Sequence, residues 1–218
     1  KSGSNKSKTI LKNPLKELFT VFKEEKIKKL SLAFFIYFIA FTGLTNILIF
    51  FLQESLNWTT KASSGTLVVV GIIAIIVQGG LIGPLVKQFG EMRLTLIGSG
   101  FILVACTLLI SAPKENATIN IYSAVSFLAV GAGLITPTLR ALISKKLDID
   151  KQGSILSNLQ GLQSLGGVLG IAMAGRVYDS FGPKSPFIAG SVILLFMIYL
   201  IAEGKNNNSF KNQKLKVF

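Results

Sequence analysis

Between Arg140 and Asp179 the chain passes from charged to apolar and back again. A short basic stretch, RALISKKLDIDK, gives way to an uncharged run from Gln152 to Gly175, and Arg176 ends it. Within that run Gly161, Gly166, Gly167, Gly170 and Gly175 alternate with Leu, Ile, Val and Ala. In water so many glycines argue against a helix, each costing up to ~1 kcal/mol against Ala. In a bilayer they are common, because close backbone approach replaces the missing hydrophobic drive between helices. Gly166, Gly170 and Ala174 fall at i, i+4 and i+8, a stripe on which a neighbouring helix can sit closely. A membrane helix accounts for the length, the missing charge and the glycines together.

Five other charge-poor runs share this character, and the set predicts spans at Leu30–Leu52, Ala62–Val86, Leu94–Ala112, Ile119–Leu139, Ile155–Val177 and Pro186–Ala202. At 1.5 Å per residue each is near the length that crosses roughly 30 Å of hydrocarbon, the last being the shortest. The expected fold class is all-α integral membrane with six transmembrane helices. Trp58 and Tyr122 fall near the proposed interfaces, where amphipathic rings are favoured. Residues 1–29 form a basic segment. Its Leu15, Leu18, Phe19, Phe22, Ile27 and Leu30 either mark one face of an interfacial helix or belong to a plain linker. Residues 30–202 form the bundle. Residues 203–218 are polar and basic without periodicity, a tail expected to lack fixed structure and to be drawn to anionic head groups.

Composition sharpens this picture. Charged residues make up 15% of the chain, against about 25% in soluble domains. They cluster between the apolar runs, as in multi-span proteins. A net charge of +13 would otherwise suggest nucleic acid, but this placement assigns the basic residues to membrane orientation instead. Of the 23 Lys and Arg, only Lys61, Lys114, Arg176 and Lys184 fall on the side opposite the termini. The positive-inside rule then puts both termini in the cytoplasm of a cell-membrane protein.

The lone Cys106 and the absence of histidine remove disulfide scaffolds, His/Cys metal sites and histidine-based nucleophile sets. No phosphate-loop spacing is present, so no cofactor, metal or catalytic residue is expected, and an enzyme with Asp148, Asp150 or Asp179 at loop level is the weakest reading. Asn57-Trp58-Thr59 and Asn116-Ala117-Thr118 fit the glycan acceptor pattern by chance, so close to membrane ends. The chain opens on Lys, which leads to the expectation that it begins inside a longer protein.

Near the end of the second span lies GGLIGPLVKQFGEMR, residues 79–93. Gly79 and Gly83 form a GxxxG, Pro84 weakens the helix, and Gly90 can supply a positive φ at a helix end. Lys87 and Arg93 can pair with phosphate, with Glu91 or with a helix's carbonyl end. The alternative is a short positive-inside loop with a glycine turn. This stretch resembles the repeated loop motif G-x-L-x-D-R-x-G-x-x-R/K of major facilitator superfamily transporters, through Gly83, Leu85, Gly90 and Arg93. Lys87 stands at the acidic position and Gln88 at the next basic one, which removes the acidic partner for a neighbouring helix.

The stretch from Gly131 to Gly182 resembles helices ten and eleven of tetracycline-efflux-like members, through Pro137, Leu139, Leu142, Ser144, Gln152, Gly153, Gln160, Leu162, Ser164, Leu165 and Gly170. The resemblance covers nearly the whole chain as the second six helices of a twelve-helix fold. It implies a proton-coupled exporter of a small organic molecule working by alternating access, with the lysine-rich start as the central loop. Some members carry an intramembrane histidine in this half. This chain has none, so coupling protons would rely on carboxylates outside it.

By the same resemblance, spans one, two, four and five carry the cavity face. Polar side chains at mid-span are costly unless they meet protein or water, which singles out Asn46, Gln78, Asn158, Gln160 and Gln163 as candidates to line a substrate cavity. Hydrogen bonding between helices is the alternative for the glutamines. Thr42 and Thr45 are better explained by bonds to their own helix carbonyls. Phe34, Phe35, Tyr37, Phe38 and Phe41 surround all sides of one helix, so only some can face a pocket. Gly83, Lys87, Gly90, Arg93, Pro137, Arg140 and Gly153 are the candidates for gating loops, with Thr136 and Pro137 marking a bend and Arg140 anchoring it.

The expected partners are a small-molecule substrate, protons, membrane lipid, and the N-terminal six-helix half or a second copy, with no nucleic acid. A reading of another class is a membrane structural or assembly protein, a half-transporter with no transport of its own. Lys87 at the acidic position and the lack of carboxylates in the spans favour that reading, and the sequence upstream of Lys1 discriminates the two. Topology is directly testable. In a Cys106→Ser background, single cysteines at Lys61 and Lys184 are expected to react with an impermeant maleimide from the side opposite a cysteine placed at Lys216. Labelling of all three from one side would remove the six-span arrangement.

Overall fold

Six long helices follow one another at the spacing of the six apolar runs. In the computed structural model, which describes residues 18–113 and 117–214 with side chains as far as Glu203, they are α1 (Lys28–Ser55), α2 (Thr60–Phe89), α3 (Glu91–Ser111), α4 (Thr118–Ser144), α5 (Ile149–Phe181) and α6 (Ser185–Lys214). No strand occurs among the described residues. Five of the helices are long and apolar enough to cross a membrane: α1, α2, α3, α4 and α6 as far as Glu203. The helix α5 has the length, about 50 Å at 1.5 Å per residue. Its glycines, serines and glutamines make it less apolar than the others, although no charge stands between Lys151 and Arg176.

Local chemistry explains the joints. Thr59 caps α2 by accepting from the Ala62 amide. Gly90, at φ +76°, makes the single-residue break between α2 and α3, as its position in the sequence predicts. Pro84 lacks the N–H that would bond the Gly80 carbonyl, yet α2 does not break there. Instead the ladder widens one turn earlier into a π turn, Val77–Leu81, closed by the Ile82 amide on the Val77 carbonyl. Likewise α4 runs unbroken through Pro137, so Thr136–Pro137 does not end the helix.

The core is organised by two seams where backbones nearly touch. Along the first, Gly166, Gly170 and Ala174 of α5 pack against Phe35, Ile39 and Gly43 of α1, as the small-residue stripe predicts. A Cβ added at Gly170 would stand 2.2 Å from the Ile39 carbonyl oxygen, and one at Gly43 would stand 2.8 Å from that of Gly170. Along the second seam Gly98 of α3 meets Gly131 of α4, whose added Cβ would lie 2.6 Å from the Gly98 oxygen. Beside it the buried hydroxyls of Thr95 and Thr138 bond at 2.8 Å. Meanwhile α6 packs on α1 and α3, and α2 lies along α4. Leu67, Val68, Ile72, Ile75 and Ile76 of α2 remain exposed, an apolar face suited to lipid rather than water.

One end of the bundle gathers the segments that the charge count assigns to one side. Lys29 at the start of α1 pairs with Glu203 of α6 at 2.5 Å, Lys151 pairs with Glu24 at 3.2 Å, and Lys145 pairs with Glu91. The segment before α1 differs from the interfacial helix considered above. Residues 1–17 lie outside the described residues. Beyond them the chain makes a 3-10 turn, Phe19–Phe22, and enters α1 through further turns. Val21 and Ile27 are fully buried and join the bundle core, so these apolar residues are drawn onto protein rather than onto a membrane surface. At the other end of the chain, helical backbone continues from α6 to Lys214, past the point where apolar periodicity stops.

The first seam yields a stability test. Gly170→Val is expected to lower the stability of the detergent-solubilised protein by at least ~2 kcal/mol, because the Ile39 backbone cannot yield. Gly71→Ala, with nothing within 4 Å, is expected to be neutral or to stabilise by up to ~1 kcal/mol. Melting followed by tryptophan fluorescence and far-ultraviolet dichroism checks both. A Gly170→Val protein that melts with the wild type would dismiss the seam.

Candidate functional site

The α1–α5 seam fixes how α5 is rotated. With Leu162, Gly166 and Gly170 buried, the opposite face presents Gly153, Ser157, Gln160 and Ser164 outward. These are separated by three and four residues and form one polar stripe. Farther along, Gly167 lies beside Thr42 of α1, and the Asn46 amide donates to the Thr42 carbonyl at 2.9 Å. Polar groups thus continue from α5 onto α1 along one exposed face.

At one end of this face three helices converge on Arg140. From α4 its Nη2 donates to Gln160 Oε1 at 2.6 Å and also to Gln163 Oε1. The guanidinium carbon stands 5.8 Å above the centre of the Phe34 ring of α1, a cation–π distance. One turn earlier on α4, Thr136 Oγ1 shares a 3.2 Å hydrogen bond with the hydroxyl of fully buried Tyr37. Phe41 stacks on Tyr37 with ring centres 5.5 Å apart, and Phe38 meets it edge-on at 4.9 Å. Arg140 Nε is buried without a partner.

The structure therefore joins Arg140, expected as an anchor, to Gln160 and Gln163, expected in the cavity. The other candidates are distributed differently. Asn46 is exposed on the same polar face, bonded within its own helix. Gln78 is exposed in the π turn of α2, its Cγ 3.9 Å from where Gly133 would carry a Cβ. Asn158 instead ties the preceding segment to α5, its Nδ2 donating to Thr20 Oγ1 at 3.1 Å. Next to it Leu18 closes on Gly161.

Among the gating candidates, Gly83 has open surroundings, and Lys87 and Arg93 are exposed with no ion pair to a described residue. Glu91 pairs with Lys145 from the α4–α5 loop, not with either of them. Gly153 lies within α5 rather than in the loop, because the helix already starts at Ile149. Its neighbour Gln152 folds back to the Ser144 and Leu147 carbonyls at 3.3 and 3.4 Å.

The sequence names Phe34 and Tyr37 only within a group of five aromatics and Thr136 only as part of a bend, and it does not pair Glu91 with Lys145. The spacing of Thr136 and Arg140, four apart on α4, was the one available sign that both share a face. Nothing in the sequence pairs that face with α1.

Comparison with known proteins agrees with this architecture. The pattern of the Major Facilitator Superfamily matches residues 1–171. The class C tetracycline resistance protein of Escherichia coli is 26% identical over 130 residues, covering 60% of this chain and 32% of that protein. The class H tetracycline resistance protein of Pasteurella multocida is also 26% identical, over 131 residues, with the same coverage. Human Hippocampus abundant transcript-like protein 1 is 22% identical over 212 residues, covering 87% of this chain and 41% of that protein. The chain thus spans 32–41% of the length of these relatives. Six long helices, a glycine turn at Gly90 and a family match over most of the chain place it in the Major Facilitator Superfamily, as a multi-pass membrane protein that resembles tetracycline-efflux proteins.

Proposed function

We propose that this chain forms one wall of the substrate cavity of a secondary transporter that exports a small organic molecule by alternating access. The observation that carries this reading is the division of α5 into two faces. One is sealed backbone-to-backbone against α1, and the other exposes Ser157, Gln160 and Ser164 beside Arg140. On a helix within a bilayer, an exposed polar face is costly unless it meets water or solute. Residues 30–202 are the bundle, 1–29 the link to a preceding six-helix half, and 203–218 the tail, with both termini in the cytoplasm and the protein in the cell membrane. Protons supply the drive through carboxylates outside this sequence. The two halves rock about a site near the midplane.

Gly83, Lys87, Gly90 and Arg93 sit at the turn that would slide over the opposing half. Pro137 lies one turn before Arg140 on the cavity side of α4.

Flux measurement tests this. The full-length protein in proteoliposomes with an imposed pH gradient is expected to move a substrate, with tetracycline as the first probe because two relatives are tetracycline resistance proteins. Removing one polar contact is worth about 1 kcal/mol, so Gln160→Ala and Asn46→Ala are each expected to slow initial uptake roughly fivefold. Unchanged rates in both variants would remove the cavity assignment. Gradient-independent flux would remove the proton.

A further inference from the structure

The hydrogen-bond inventory around Arg140 has a definite chemical sign. A guanidinium only donates, so the atoms that meet it on Gln160 and Gln163 must be the carboxamide oxygens. Both glutamine acceptors are thereby engaged. What these side chains still offer is their two amide NH2 groups and Arg140 Nη1, none bonded to a described residue, while the Arg140 Nε–H is buried away from any solute. Apart from the second lone pair of each carboxamide oxygen, every remaining polar group of the three is a donor, and the cluster carries a positive charge.

No carboxylate among the described residues balances it. Glu24, Glu25, Glu54, Glu91 and Glu203 are committed to Lys151, Lys28, Tyr178, Lys145 and Lys29. Asp148 and Asp150 stand at the start of α5, roughly 15 Å or more along the helix from Gln160, and Asp179 lies at its far end. The Phe34 ring face and the two carboxamides orient the guanidinium without neutralising it. A half-buried cation with no carboxylate beside it among the described residues is a costly arrangement until an anion arrives.

We infer that Arg140, Gln160 and Gln163 form a receptor for an oxyanion carried by an organic solute, a carboxylate or sulfonate on an aromatic or apolar body. This deepens the transporter reading, on which its placement in a substrate path rests, by naming the substrate class. The guanidinium supplies charge and a planar fork, and the two amides close on the remaining lone pairs. Half-buried Phe41, stacked on the Tyr37 that bonds Thr136, supplies apolar surface on α1 for the body of the solute. A cation meets repulsion at this site, and a neutral donor finds only the second lone pairs of carboxamide oxygens already bonded to the guanidinium. The α4 helix ends at Ser144, one turn beyond Arg140, so a lipid phosphate is the other source of the same chemistry.

Binding by the full-length protein in phosphatidylcholine nanodiscs separates these outcomes. The probes are 2-naphthalenesulfonate, the neutral 2-naphthalenesulfonamide and a naphthylmethyl trimethylammonium cation. The sulfonate is expected to bind at least tenfold more tightly than either analogue. Arg140→Gln is expected to abolish that preference, and Arg140→Lys to restore part of it because charge returns without the fork. Gln160→Ala and Gln163→Ala are each expected to weaken sulfonate binding several-fold. Unliganded melting of each variant reports folding separately.

Sulfonate binding that is unchanged in a folded Arg140→Gln protein overturns the receptor, as does a preference for the cation. If phosphatidylglycerol nanodiscs stabilise the wild type but not Arg140→Gln while the sulfonate binds neither, the anion is a lipid head group and the solute receptor is overturned. Arg140-dependent sulfonate binding with no flux of any probe leaves the receptor standing and removes the transporter. Flux of tetracycline with no Arg140-dependent anion binding does the reverse.

Discussion

Where Ile39 and Gly43 of α1 meet Gly170 of α5, two helices touch backbone against backbone. Inside a bilayer, apolar side chains gain little by leaving lipid for protein, so helices are held by dispersion between surfaces that fit closely. A carbonyl oxygen that would stand 2.2 Å from an added Cβ leaves no freedom to slide or rotate. Gly98 and Gly131 impose the same condition between α3 and α4. Two seams of this kind fix the pairs α1–α5 and α3–α4, and α6 and α2 pack onto these pairs.

From the rotation of α5 the site follows. With Leu162, Gly166 and Gly170 turned into the bundle, Gln160 is left exposed and Gln163 half-buried. There Arg140 of α4 donates to both, itself set one turn from the Tyr37–Thr136 bond. The charge is tolerated because two carboxamide oxygens and the Phe34 ring face replace part of its hydration. The glutamines bond between helices through their oxygens, which is the alternative considered for them beside cavity lining.

Much of this was legible in the chain because the relevant signals are local. Span positions follow from apolar length, the Gly90 break from the conformation only glycine adopts readily, and the α5 stripe from small residues at helical spacing. What escaped depends on contacts distant in sequence. Nothing near Arg140 announces Phe34, and nothing near Glu91 announces Lys145, 54 residues away. Asn158 and Gln160 are two apart and equally polar. A helix turns them about 200° from each other, which sends one to Thr20 and the other to Arg140. The burial of Val21 and Ile27 in a lysine-rich segment was hidden for another reason, since composition there is dominated by residues that remain in solvent. The Pro84 disturbance was visible, but its displacement to Val77–Leu81 was not, because a widened turn can take up the unpaired carbonyl at more than one position.

The two kinds of contact divide the mechanical labour. Lys29–Glu203, Lys151–Glu24 and Lys145–Glu91 all have at least one partner well exposed, and such pairs are worth about 0–1 kcal/mol each. They register the loops at one end of the bundle but oppose movement weakly. The glycine seams cannot shear without backbone overlap. The bundle is therefore stiff along its seams and only lightly held at that end. The Arg140 cluster stands at the boundary between the two regimes, one turn from the end of α4 and facing a helix locked by its seam. Its donors are held in place before any ligand arrives. An anion entering there needs little reorganisation of the helices, and its charge is felt at the end of the bundle whose own ion pairs are easiest to exchange.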